Sequence, residues 1–125
     1  MVNKEREMRT LWAKRLPVSV PRWYNVRMGQ LPDVDMAAAY KVIQGYADLV
    51  YVSDGFVHIV EFKIRGYREA VGQLLSYRQE FPKTPEFAPY AAMSIKLILV
   101  ADKFDAVTNS LCGAYGILFE PFELV

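Results

Sequence analysis

Apolar, β-prone residues concentrate in two runs between Tyr46 and Ile64. Two runs rich in Val, Ile, Tyr and Phe, 46–53 and 56–64, are separated by Asp54-Gly55. Asp-Gly between β-prone runs predicts a hairpin closed by a two-residue type I′ turn. With that turn Ser53 faces Phe56, Val52 faces Val57, Val50 faces Ile59 and Asp48 faces Glu61. Side chains alternate across a strand, so Asp48, Val50, Val52, Val57, Ile59, Glu61 and Lys63 are expected on one face of the ribbon.

The flanking pattern predicts the other elements. Met8, Leu11, Trp12 and Leu16 repeat at helical spacing and predict a helix over 3–16, capped by Asn3 and stopped by Pro17. Arg22 to Met28 is aromatic and β-prone, a first strand ended by Gly29. The next segment supports two readings. Either Asp33 or Asp35 caps a short helix through Ala37 to Ile43 with Gly45 at its end, or Ala39 to Gln44 extends into the sheet. Asp33 and Asp35 read as capping or turn residues in both.

Beyond the hairpin, Gly66 permits a turn. Tyr67 to Phe81 then carries Ala70, Leu74, Tyr77 and Phe81 on one helical stripe, and Pro82 ends it. Residues 83–93, with Pro85 and Pro89, form an irregular connection. Ser94 to Ala101 is a nearly continuous apolar run, as expected of a strand covered on both faces, and the preceding helix supplies the crossover that a parallel pair requires. Asp102 is expected to cap a helix through Leu111 that ends at Gly113, and Tyr115 to Glu120 an edge strand. The order α, β, β, β, α, β, α, β describes one α/β domain over 1–125, a mixed sheet with flanking helices.

The hairpin register sets two carboxylates side by side at the end of an apolar face. Directly opposed residues have Cβ atoms about 4.5–5.5 Å apart, where like charges destabilise the pairing unless something positive lies between them. A hard divalent cation such as Mg²⁺ would serve, needing only one or two carboxylates. The chemistry that follows is metal-assisted hydrolysis, in which the ion polarises a phosphoryl oxygen and lowers the pKa of a water. Lys63 is placed to orient or deprotonate that water, or to neutralise charge in the transition state.

Asp48, Glu61-Phe62-Lys63 and Gln73-Leu74-Leu75-Ser76-Tyr77 together resemble the PD-(D/E)xK nuclease superfamily, and the Q-x-x-x-Y spacing resembles its RecB-like branch. The resemblance covers residues 46–101, with Ala47 where the superfamily's Pro precedes the Asp. It implies a restriction-endonuclease-like fold with an αβββαβ core. It also implies Mg²⁺ or Mn²⁺ held by Asp48, Glu61 and the backbone carbonyl of Phe62, with Lys63 as the catalytic lysine. By the same resemblance Gln73 and Tyr77 support the site and contact substrate, and cleavage leaves a 5′-phosphate and a 3′-hydroxyl. Some members place a helical Glu beside the metal, a role open here to Glu5 or Glu7. Arg65 and Arg68 flank the motif and Arg78 follows Tyr77, so these arginines are placed to reach phosphates.

Composition narrows the alternatives. At 53% hydrophobic and 14% aromatic the chain is globular rather than disordered. The net charge of +1 does not itself point to nucleic acid, but residues 1–30 carry seven Lys or Arg against two Glu, while the rest carries eight against twelve acids. Such asymmetry suits an amino-terminal element lying along a phosphate backbone.

One histidine and one cysteine exclude a tetrahedral zinc site, a Cys-His nucleophile, an internal disulfide and the four-cysteine cluster that some RecB-like nucleases carry. His58 falls opposite Tyr51, on the face away from the acids, and reads as structural. There is no glycine-rich phosphate loop, no signal-peptide pattern, and no apolar stretch of membrane-spanning length, since Lys96 interrupts the run near Tyr90 to Ala101. The expectation is an intracellular, cytoplasmic, divalent-metal-dependent nuclease acting on DNA. A non-catalytic nucleic-acid-binding or assembly module retaining the fold is the alternative. Endonuclease and exonuclease modes, and a homodimer, stay open.

Overall fold

Asn3 caps the first helix as expected, its side chain accepting a hydrogen bond from the Arg6 amide at 3.1 Å. In the computed structural model, which describes residues 3–29 and 45–124, this helix, α1, spans Lys4–Ala13. The two readings of the segment with Asp33 and Asp35 lie outside the described residues. Helix α1 stops three residues before the predicted end. Leu16 precedes Pro17 and is therefore disfavoured in the helical region, and the last turn relaxes into single turns, Arg15 to Trp12 and Leu16 to Ala13. Met8, Trp12 and Ala13 are buried, whereas Leu11 is 40% exposed, so the buried stripe runs one residue off the predicted one.

Strand β1 spans Arg22–Arg27, β2 Tyr46–Ser53 and β3 Phe56–Lys63. The hairpin turns at Asp54 (φ 55°) and Gly55 (φ 81°), the two positive φ values of a type I′ turn, and the register pairs Ser53 with Phe56, Val52 with Val57 and Val50 with Ile59, as predicted. Helix α2 (Tyr67–Glu80) follows Gly66 (φ 67°) and buries Ala70, Val71, Leu74 and Tyr77. Two short 3₁₀ segments, Phe81–Lys83 and Pro85–Tyr90, form the proline-rich connection and bury Phe87 against Trp23 and Phe81. Strand β4 is Ser94–Ala101, helix α3 Ala106–Ala114 and β5 Ile117–Pro121.

Helix α3 corrects one expectation. Its cap is Asp105, whose carboxylate accepts the Thr108 amide at 3.0 Å, because Asp102 is engaged by the Tyr67 hydroxyl.

The sheet order is β1-β2-β3-β4-β5, with β1/β2 and β2/β3 antiparallel and β3/β4 and β4/β5 parallel. Each parallel step is bridged by a helix, α2 and then α3. One core joins Val50, Val57, Ile59, Leu97 and Leu99 to α2 and to Cys112 of α3; the other joins Leu49, Tyr51, Val60, Phe62, Ile98 and Val100 to Met8 and Trp12 of α1. Central strands covered on both faces explain the nearly continuous apolar run of β4. No helix among the described residues is long and apolar enough to cross a membrane.

Candidate active site

Asp48 and Glu61 meet where the hairpin ladder stops being closed by main-chain bonds. Beyond the Leu49–Val60 pair, the Asp48 amide donates to Glu61 Oε1 at 3.0 Å and the Phe62 amide donates to Asp48 Oδ2 at 2.9 Å. The two carboxylates stand in for backbone acceptors and are thereby fixed at the end of the hairpin. Asp48 Oδ1 and Glu61 Oε2 accept no hydrogen bond among the described residues.

On β1, Asn25 falls opposite Asp48, between the Tyr24–Leu49 and Val26–Ala47 pairs, and adopts φ 53°. Val26 and Ala47 return to the same core as Val50, so the strict alternation expected for this face is interrupted at the level of Asp48. There Asp48 borders a polar cavity of about 330 Å³ lined also by Asn3, Glu5, Arg6, Arg9 and Asn25.

Burial dominates the electrostatics. Glu61 is 3% exposed, and burial followed by the Asp48 charge pushes its carboxyl up to about 8. Burial also raises Asp48, opposed by the Phe62 amide, Arg9 and Lys63. Glu5 adds a third acid: its Oε2 accepts the Ile64 amide at 3.2 Å, and its charge raises both partners further. Of the two helical acids, Glu5 is therefore the one at the site, since Glu7 is exposed and lines a different cavity with Lys4, Asp102 and Glu123. Among the described residues no group of three His, Cys, Asp or Glu is disposed to hold a metal. The donor set is two carboxylates with a lysine nearby, which suits a hard cation that keeps much of its water.

Tyr77 is buried and donates to the Tyr46 carbonyl at 3.1 Å, which ties α2 to the start of β2; burial and then the Glu61 and Asp48 charges raise its hydroxyl above the ordinary range. One turn earlier, Gln73 Oε1 is buried without a partner among the described residues. A Cβ on Gly45 would lie 2.5 Å from the Tyr77 hydroxyl oxygen. Gly45→Ala is therefore expected to displace the ring, break its bond to Tyr46 and destabilise the fold by about 1–3 kcal/mol, read as a lower denaturant midpoint.

Lys63 is half-buried and its charge acts on both acids. Phe62 sets its ring edge-on to Trp12 at 5.6 Å. Arg65, Arg68 and Arg78 are exposed, and none of them lines the cavity at Asp48. Arg6 and Arg9 do line it; only the basic excess of residues 1–30 signalled them. Asn25 was missed, although an Asn within RWYNVRM is a poor strand former and the residue type that, after Gly, best tolerates positive φ. His58 stacks on Tyr51 at 4.2 Å, away from the acids, and burial lowers its pKa, as suits a packed residue.

A mixed five-stranded sheet with helices on both faces, bearing acids where its antiparallel and parallel halves meet, is the restriction-endonuclease-like α/β fold. Among solved structures, a repair endonuclease from Pyrococcus abyssi matches 98% of this chain with a TM-score of 0.61 and 21% sequence identity. The chain spans about half the length of that endonuclease, 48%. No protein-family model matches the sequence, and no curated protein sequence matches it.

Proposed function

We propose that this chain is a divalent-metal-dependent nuclease that hydrolyses phosphodiester bonds in DNA. The reading is carried by the reciprocal bonding of Asp48 and Glu61, in which each acid is locked by a main-chain amide and keeps one oxygen uncommitted. A pair of acids with raised pKa values beside a polar cavity is costly to bury, and such perturbed groups cluster at functional sites. The fold shared with a repair endonuclease supports it further.

Asp48, Glu61 and the Phe62 carbonyl would hold Mg²⁺ or Mn²⁺, with Glu5 adding negative charge nearby. Bound there, the ion supplies Lewis acidity to a phosphoryl oxygen and acidifies water. Lys63 takes or steers the proton of the attacking water and offsets charge gathering on the phosphorus oxygens. Tyr77 holds β2 in register through the Tyr46 carbonyl, and Gln73, one turn earlier on α2, supports the site and contacts substrate. Arg65, Arg68 and Arg78 serve as outer phosphate contacts. An intracellular location and, for a two-stranded or branched substrate, pairing of two copies complete the reading.

The test is to incubate labelled single-stranded, duplex, flapped and branched DNA with the protein and Mg²⁺ or Mn²⁺. Cleavage that leaves 5′-phosphate ends and stops in chelator is expected. Binding without cleavage of every substrate under every condition would overturn the proposal and favour a non-catalytic binding module.

A further inference from the structure

The polar cavity beside Asp48 does not close on itself. Arg6 and Arg9 also line a second cavity of about 550 Å³ between α1 and β1, whose walls include Lys14, Leu16, Arg22 and Tyr24. The two cavities adjoin at Arg6 and Arg9, and the second forms a groove running from there along α1. From Arg6 to Lys14 it follows the helix for about 12 Å, at 1.5 Å per residue.

Arg9 is held in place. Its guanidinium donates to Asn25 Oδ1 at 3.0 Å and lies 5.2 Å from the centre of the Tyr24 ring. Asn25 does this from a left-handed conformation, opposite Asp48, in a strand that would otherwise be regular. Residues in this sparsely populated conformation collect at ligand sites.

The other cations divide into two kinds. Arg22 bonds the carbonyls of Ala13, Pro17 and Val20 and so braces the floor. Arg6 and Lys14 have no side-chain hydrogen bond or ion pair among the described residues. Tyr24, on the edge strand, is 44% exposed.

Backbone-tracking cations beside an exposed ring are the means by which proteins bind single strands: the cations take phosphates and the ring takes an unpaired base. A duplex keeps its bases stacked inside and offers Tyr24 none. We propose that the groove between α1 and β1 receives a single-stranded stretch of the substrate, with Arg9 and Arg6 on the phosphates nearest the cleaved bond and Tyr24 against an unpaired base. The assignment of the cleaved bond rests on the nuclease reading; the binding does not.

The experiment is fluorescence anisotropy without divalent metal, using a labelled single strand and a blunt duplex of the same sequence. The proteins are wild type, Arg6→Gln/Arg9→Gln, Tyr24→Ala and the charge-matched control Lys96→Gln/Lys103→Gln, each checked for folding by thermal melting. Wild type is expected to prefer the single strand. The double arginine variant should lose tenfold or more, and its salt dependence should flatten by about 1.4 log units per log unit, two contacts at ~0.7 each. Tyr24→Ala should lose fivefold or more for the single strand and nothing for the duplex.

Wild-type affinity in both groove variants, an equal loss in the lysine control, or a duplex preference in wild type would overturn the proposal. If binding maps to the groove while no substrate is ever cut, only the nuclease reading falls. If cleavage occurs but the groove variants bind like wild type, only the groove falls.

Discussion

Replacing Glu61 with glutamine should make the metal-free protein more stable at pH 9 by several kcal/mol. The sign follows from a carboxyl whose pKa rises from 4.5 to about 8 on folding. Below about pH 4.5 it is protonated in folded and unfolded chains alike and carries no penalty. As pH climbs from there through about 8, the unfolded chain releases the proton while the folded chain resists, so stability drains away. Glutamine retains an acceptor for the Asp48 amide and never ionises. Denaturant unfolding in chelator at pH 5 and pH 9 reads the effect: the wild-type midpoint should drop from the first to the second and the variant's should drop less, the remaining fall coming from Asp48, which burial also raises. A wild type equally stable at both would mean that the carboxyl is not buried as described.

The largest effect on activity is expected at the same pair and at Lys63. Glu61→Ala removes one of the two acids and should slow single-turnover DNA cleavage by about 10³-fold, ~4 kcal/mol of transition-state stabilisation. Lys63→Ala should cost about 10²–10³-fold, typical of losing one preorganised group that meets developing charge. The two losses should differ in kind. Raising Mn²⁺ should restore part of the rate to Glu61→Ala, whose defect is ion affinity, and none to Lys63→Ala, whose defect lies in the chemical step. Identical metal dependence in the two variants would contradict the separate roles.

Much of this was legible in the chain because its signals are local. Asp54-Gly55 dictates a turn with two positive φ values, the turn dictates the register as far as Leu49 and Val60, and the next residues on, Asp48 and Glu61, come within hydrogen-bonding reach. The nearly continuous apolar run of β4 and the helix before it are enough to infer a parallel partner for β3.

What escaped depends on tertiary contacts. Asp102 and Asp105 are equally good caps in isolation, and the choice is made by the Tyr67 hydroxyl, 35 residues away from Asp102. The rotation of α1 that buries Ala13 and exposes Leu11 is set by how Trp12 packs on Tyr51 and Phe62. Glu5 is different: three residues before Met8 and seven before Trp12, it shares their stripe in the sequence, and the structure brings it to Ile64 and leaves Glu7 exposed. Asn25 is the clearest case: its left-handed turn serves no strand pairing, and its partner Arg9, 16 residues earlier on α1, is brought to it only by the fold.

The claim on which the rest depends is that Asp48 and Glu61 share a divalent cation, and titrating Mn²⁺ into metal-free protein by calorimetry, alongside melting curves, tests it most directly. Saturable binding to wild type that raises the melting midpoint, and that disappears in Asp48→Asn, is the expected result. Absence of heat and of any shift at millimolar Mn²⁺, or equal binding to Asp48→Asn, would contradict it.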